Sequence, residues 1–342
     1  PTRVRRSGDI QFKADFLPKA NTMHFRDRDR LSEEYRERAE GGYWDERRIA
    51  DMDRDGVDMA LCYPNQGVFM LAIKDGEFQM ACAKIFNDWI LETPLAQHPD
   101  RFLLVANLPP RDVTLAIHEA QRIAKTGRFK AFFMPCRVEE QLYNEPIYDP
   151  LWATLSEIGM PILFHAGQGT DPTAIGGRGS SIINYVNALT LCAEPVVQLC
   201  ASGVLERFPK LKFAAIESQM SWLPGYLHLM DEEFQKRSFF IQPPPFSPGG
   251  LQMLPSEYFR RQGMVMFMDD PPGLQLAHYI GIDNICWGDD YPHQEGTWPY
   301  SEKVLDRSLG AFTEKEKRKF LGENIARHLG IPLEAKAAAT AV

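Results

Sequence analysis

Several residues of this 342-residue chain pair a type that can bind metal or move a proton with a place at the end of an apolar run. His165 closes "PILFHAG" (161–167), Glu217 closes "LKFAAIES" (211–218), and Asp289 and Asp290 close "NICWGDD" (284–290). Asp269 and Asp270 close "MVMFMDD" (264–270) in the same way. A carboxylate is seldom buried without a partner, so such a run either leaves the core at its acids or holds something positive there. One imidazole joined by carboxylates from other runs is a ligand set for Zn²⁺, Mn²⁺ or Fe²⁺, provided the fold gathers the run ends. His165 also precedes "AGQG", whose glycines let the backbone pass close to a ligand. Glu217 has two readings: a cap on the next helix, whose dipole favours an acid at its N-terminus, or a ligand or proton carrier. His293 either supports such a site from behind or faces solvent. Asn65 and Arg137 follow two further runs and are candidates to hold a substrate. Trp222 and Trp298 either fill core or wall an aromatic substrate.

The elements that must position these residues are short and regular. The remaining runs are "VDMALCYP" (57–64), "RFLLVANLPP" (101–110) and "FKAFFMPC" (129–136). With the four above they make seven, each nearly continuously apolar, as expected of parallel strands covered on both faces. Helical patterns lie between them: "DVTLAIHEAQRIAK" (112–125) behind an Asp cap, "YDPLWATLSEIG" (148–159) ending at Gly159, and "AEPVVQLCASGVLERFP" (193–209). Strand–helix alternation on this scale predicts an α/β fold, either doubly wound or closed into a (β/α)8 barrel. A closed barrel needs eight strands, and the first fifty residues offer only "DIQFKADF" (9–16), which reads as an excursion hairpin. Because the chain begins at Pro1, the missing first strand is expected to precede it. The expected division is an N-terminal excursion over 1–43, the barrel over 44–331 and a frayed tail over 332–342.

Bulk properties exclude other classes. A net charge of −8 with no basic tract argues against a nucleic-acid surface. No stretch of about 18 apolar residues reads as a membrane span. The six cysteines form no C-x-x-C pair and mostly sit inside apolar runs, which predicts small buried hydrophobes in a reducing cytoplasm.

With these residues assembled, the chain resembles the amidohydrolase-related family, in the branch that contains aminocarboxymuconate-semialdehyde decarboxylase and γ-resorcylate decarboxylase. The resemblance runs from about Trp44 to Ile331. It rests on "RRIADMDRDGVDMALCYP", "HPDRFLLVANLPPRD", "LYNEPIYDPLWATLSEIGMPILFHAG", "VLERFPKLKFAAIE" with "WLP", and "ICWGDDYPHQEGTWP". It implies a metal-dependent TIM barrel holding one divalent ion, commonly assembled as a homodimer or homotetramer. By position it implies His165 as the metal histidine of the fifth barrel strand and Asp289 as the metal aspartate of the eighth. Asp290 is then expected to point away or cap the next turn, with Tyr291-Pro292 fixing the chain's exit. Two departures stand out. The family's first-strand motif, an acid or histidine two residues before a histidine, is absent. Glu217 stands where the decarboxylases usually have histidine.

Three functions follow, in order of preference. The first is non-oxidative decarboxylation of a small aromatic or unsaturated acid, with Asp289 or a neighbouring acid protonating the ring carbon. The second is hydrolysis of an amide, ester or lactone, for which the metal would lower the pKa of bound water to about 7. The third is a metal-free barrel serving as a binding partner.

Overall fold

The computed structural model describes residues 5–7, 10–12, 45–139, 141–165, 176–237, 250–293 and 296–333. All seven apolar runs form strands. A short antiparallel hairpin, β1 (Arg5–Ser7) and β2 (Ile10–Phe12), comes first, slightly ahead of where the weak alternation placed it. Then follow β3 (Ala60–Cys62), β4 (Phe102–Asn107), β5 (Phe129–Pro135), β6 (Ile162–His165), β7 (Phe213–Ala215), β8 (Gly263–Phe267) and β9 (Ile285–Trp287). These seven make one parallel sheet in simple sequential order, β3 to β9. The order is that of a barrel wound strand by strand, each crossover returning over a helical layer.

The two faces of the strands belong to two separate cores. Val105, Phe133, Leu163, Ile216, Met266 and Cys286 share an inner cluster. Their chain neighbours Leu104, Phe132, Phe164, Ala215, Val265 and Ile285 belong to the outer one, against the helices. Both faces being dry is the physical reason the runs are continuously apolar rather than alternating. A common inner cluster reaching from β4 to β9 also shows the sheet curled around its own interior. Its edges approach each other: Tyr63, just after β3, places its hydroxyl 3.6 Å from the Met266 sulfur on β8. The helix Asp45–Asp55 ties the two ends further, since Asp51 accepts from the Tyr291 hydroxyl (2.6 Å) and from the Trp298 indole (3.1 Å). Among the described residues no strand lies between β3 and β9. The expected excursion apart from the hairpin, the proline-rich residues 241–249 and the tail beyond 333 fall outside the described residues.

Helices match their patterns where caps are clear. Asp112 accepts the Leu115 N–H at 2.9 Å, and Gly127 and Gly159 end their helices in the left-handed conformation. The expected single helix over 193–209 is instead two, Ala193–Ala201 and Val204–Arg207. Gly203 between them has φ +78°, a conformation incompatible with a continuous helix. No helix among the described residues is long and apolar enough to cross a membrane.

At the opposite end from the strand tips, His328 is buried in the last helix, Asn324–Leu329. Burial, with Lys212 and Arg327 nearby, pushes its pKa down to about 3. An unfolded histidine binds its proton near pH 6.5. Between those values the unfolded chain therefore holds one proton more, so stability rises with pH through this window. His328 contributes fully above about pH 6.5, and the contribution falls by about 1.4 kcal/mol per unit towards pH 3. Urea midpoints from pH 7 to pH 4 should consequently drop less steeply in His328→Gln than in the wild type. Parallel slopes would mean that the imidazole is not held neutral.

Candidate active site

Because all seven strands are parallel, their C-terminal tips share one rim. Stepping along the registers places His165, Ile216, Met266 and Cys286 at one level of the interior, since Phe164 pairs with Ala215, Ala215 with Val265, and Val265 with Ile285. His165 ends β6 on the inner side, with its ring 5.4 Å from that of Phe133. Its Nε2 lies 2.7 Å from Glu217 Oε2.

Glu217 reaches that point through an unusual backbone. Ala215 faces outward, so a continued strand would carry Glu217 outward too. The chain instead turns left-handed at Glu217 (φ +49°) and at Gln219 (φ +53°), which breaks the alternation. Such conformations cost roughly 1–3 kcal/mol in a non-glycine residue and persist only when the surroundings enforce them. Asp270 supplies that enforcement. Its buried carboxylate accepts from the N–H groups of Met220 and Ser221, both at 2.7 Å, and of Gly273 at 3.0 Å. Gln219 Oε1 also accepts the Met268 N–H at 3.1 Å. The β8 acids are therefore structural: Asp270 holds the Glu217 turn, and Asp269 pairs on the surface with Arg307 and Ser308. Glu217 does not cap the helix Leu223–Arg237, because its carboxylate is engaged by His165.

The third strand tip contributes Asp290, again left-handed at φ +54°. Its Oδ1 lies 2.9 Å from His293 Nδ1, which is 4.0 Å from Glu217 Oε1. Glu217, Asp290 and His293 each offer a ligand atom, and those atoms lie within 4.8 Å of one another. The loop that presents Asp290 and His293 closes tightly at Gly296, where a β-carbon would sit 2.5 Å from the Asp289 carbonyl oxygen and 3.0 Å from that of Asp290. Burial pushes the Glu217 carboxyl up, but the adjacent His165, then His293 and a hydrogen bond with Asp290, outweigh it and hold the group below its usual range.

Asp290 thus differs from the expectation that it points away. Its neighbour Asp289 is the one that serves the turn, accepting the Tyr291 N–H at 3.3 Å. Burial pushes the Asp289 carboxyl up, with Arg48 pulling the other way. A signal for this was present in the run itself. Cys286 is inward and Trp287 packs outward, so alternation puts Gly288 and Asp290 inward and Asp289 outward.

The other candidates are scattered. Arg137 pairs with Glu194 (Nε to Oε2, 2.8 Å), beside a recess lined by Arg111, Gln79 and Pro110. Trp222 packs against the outer core and Tyr226, and its indole donates to the Ser218 and Gln219 carbonyls. Trp298 is fully buried on Asp51 and Tyr291, a core residue rather than a wall of the mouth. Asn65 opens the turn Asn65–Ala72 after β3, and its side chain lies outside the described residues.

Comparison with known proteins identifies relatives for this arrangement. The family described as amidohydrolase matches residues 22–331. The γ-resorcylate decarboxylase of Rhizobium sp. (strain MTP-10005) is 28% identical over 275 residues, covering 74% of this chain and 81% of that protein. The crystal structure of 5-carboxyvanillate decarboxylase from Sphingomonas paucimobilis superposes with a TM-score of 0.68 at 26% identity, covering 83% of this chain and 82% of that one. The 5-carboxyvanillate decarboxylase of Novosphingobium aromaticivorans, complexed with manganese and 4-hydroxy-3-methoxy-5-nitrobenzoic acid, shares the fold with a TM-score of 0.67 at 20% identity. That superposition covers 83% of this chain and 80% of the other.

Proposed function

This chain belongs to the amidohydrolase family, and we propose that within it the protein is a metal-dependent decarboxylase of a small aromatic or unsaturated carboxylic acid. The observation that carries the reading is the meeting of His165, Glu217, Asp290 and His293 at the mouth of the barrel. The names of the relatives supply the direction of the chemistry. Two carboxylates and two imidazoles suit a hard-to-borderline divalent ion such as Mn²⁺, Zn²⁺ or Fe²⁺. His165, Asp290 and Glu217 are the residues we assign to hold it, with His293 beside them. When bound, such an ion supplies positive charge that orients a carboxylate and an adjacent ring oxygen.

The rest falls to side chains. Decarboxylation replaces a carbon–carboxyl bond by a carbon–hydrogen bond, so one proton must reach the ring carbon as CO₂ leaves. His293, held at Nδ1 by Asp290 Oδ1, is our assignment for holding that proton. Phe133, its ring tilted by 39° against that of His165, offers an apolar wall against which a flat ring can lie. The anionic Glu217 favours the second reading, hydrolysis of an ester or lactone, because a further negative group repels a carboxylate substrate. Exposed Ile182 and Val186 on the helix Ser180–Thr190 support the expected association of copies into a dimer or tetramer.

Incubation of the purified chain and Mn²⁺ with hydroxybenzoic acids, and in parallel with aryl esters and lactones, separates the two reactions. Release of CO₂ from an acid is the expected outcome. Cleavage of esters or lactones without CO₂ from any acid would overturn the assignment in favour of hydrolysis.

A further inference from the structure

Tyr63 is a residue that neither the strand ends nor the metal-type donors bring to notice. It follows β3 directly and packs against the inner cluster, on the side of the interior opposite β7 and β8. Its ring lies 6.4 Å from that of Phe133, which in turn touches the His165 ring, so the three line one stretch of the mouth. Its hydroxyl extends to Met266, at the same level of the barrel as His165 and Ile216.

The only hydrogen-bond partner of that hydroxyl among the described residues is the Met266 sulfur, at 3.6 Å. A thioether is a weak acceptor, so this partly buried hydroxyl, lining the mouth beside Phe133 and His165, keeps its donor capacity for a stronger acceptor that enters there. Burial, with Cys286, Glu217, Asp290 and Asp289 around it, pushes the phenol's pKa well above its ordinary value. The phenol therefore keeps its proton, with the acids of the candidate site around it.

We propose that Tyr63 determines substrate specificity, its hydroxyl donating to an oxygen carried on the ring of the bound acid. The inference rests on the aromatic-acid reading above and adds to it a preference for oxygenated rings. A site built to hydrogen-bond a substrate oxygen discriminates strongly against the analogue that lacks it, because the buried donor is then left without a partner.

The test uses the full chain with Mn²⁺ and two unreactive probes, 2-nitroresorcinol and nitrobenzene, titrated by calorimetry. The wild type should bind the diol more tightly. Tyr63→Phe should weaken the diol about tenfold or more, the scale of one hydrogen bond, while nitrobenzene changes less than about twofold. Met266→Leu removes the sulfur but leaves the phenol, and should keep the preference for the diol. Equal losses on both probes, no loss on either, or a Met266→Leu variant that copies Tyr63→Phe would reduce Tyr63 to packing and overturn the inference while leaving the decarboxylase reading intact. A wild type that binds neither ring would remove both.

Discussion

Glu217→Gln should leave the protein folded and lower turnover by about 10²-fold or more, the usual scale for a group that carries charge or a proton in the reaction. Glutamine keeps the shape of the side chain, and the left-handed turn that presents it is held by Asp270 rather than by the Glu217 carboxylate. What the substitution removes is the negative charge facing His165 and His293. Its effect on folding has two opposed parts, a lost attraction to the imidazoles and a relieved cost of burying the charge. The net should stay within about 1 kcal/mol, or roughly 1–2 °C in the melting midpoint for a chain of 342 residues. Melting curves and initial rates on the same preparation decide the matter. Normal turnover together with a lowered midpoint would make Glu217 a structural acid and remove it from the site.

The second large effect separates two adjacent acids. Asp290→Asn should weaken metal binding and turnover by more than about 10²-fold, since changing a residue merely behind a ligand already costs 10–100-fold. The Asp290 carboxylate is the one that meets His293 and shares the donor group with Glu217. Asp289→Asn should cost less than about tenfold, because its described role is to accept the Tyr291 N–H, which an amide oxygen also does. Equilibrium dialysis against Mn²⁺, read beside initial rates, checks both variants. The reverse order, with Asp289→Asn the damaging change, would restore Asp289 as the ligand that the family resemblance implied.

The architecture was legible in the sequence for a clear reason. Strands dry on both faces need apolar residues at every position, so "FKAFFMPC" and "MVMFMDD" announce themselves without an alignment. His165 was legible too, as a polar residue closing such a run. The acids of the last strand were harder, because choosing between neighbours requires knowing which side of "NICWGDD" faces inward. That parity is set by Met266 pairing with Cys286, a contact between strands. Glu217 depends on a left-handed turn in non-glycine residues, which carries no composition signal and is enforced from β8 by Asp270. Trp298 looked equally suited to core and substrate because its environment is made by Asp51, far away in the chain. Gly203 was visible, yet a glycine inside an apolar helical pattern breaks the helix only where the next turn must change direction.

The most direct measurement of the central claim is proton NMR of the reaction run in D₂O with Mn²⁺ and a hydroxybenzoic acid. Decarboxylation at this site should yield the arene with one deuteron on the carbon that carried the carboxylate, one per CO₂ released, with the rate lost in Asp290→Asn. An acid that persists unchanged while the chain holds Mn²⁺, beside an ester or lactone that is cleaved, would contradict it.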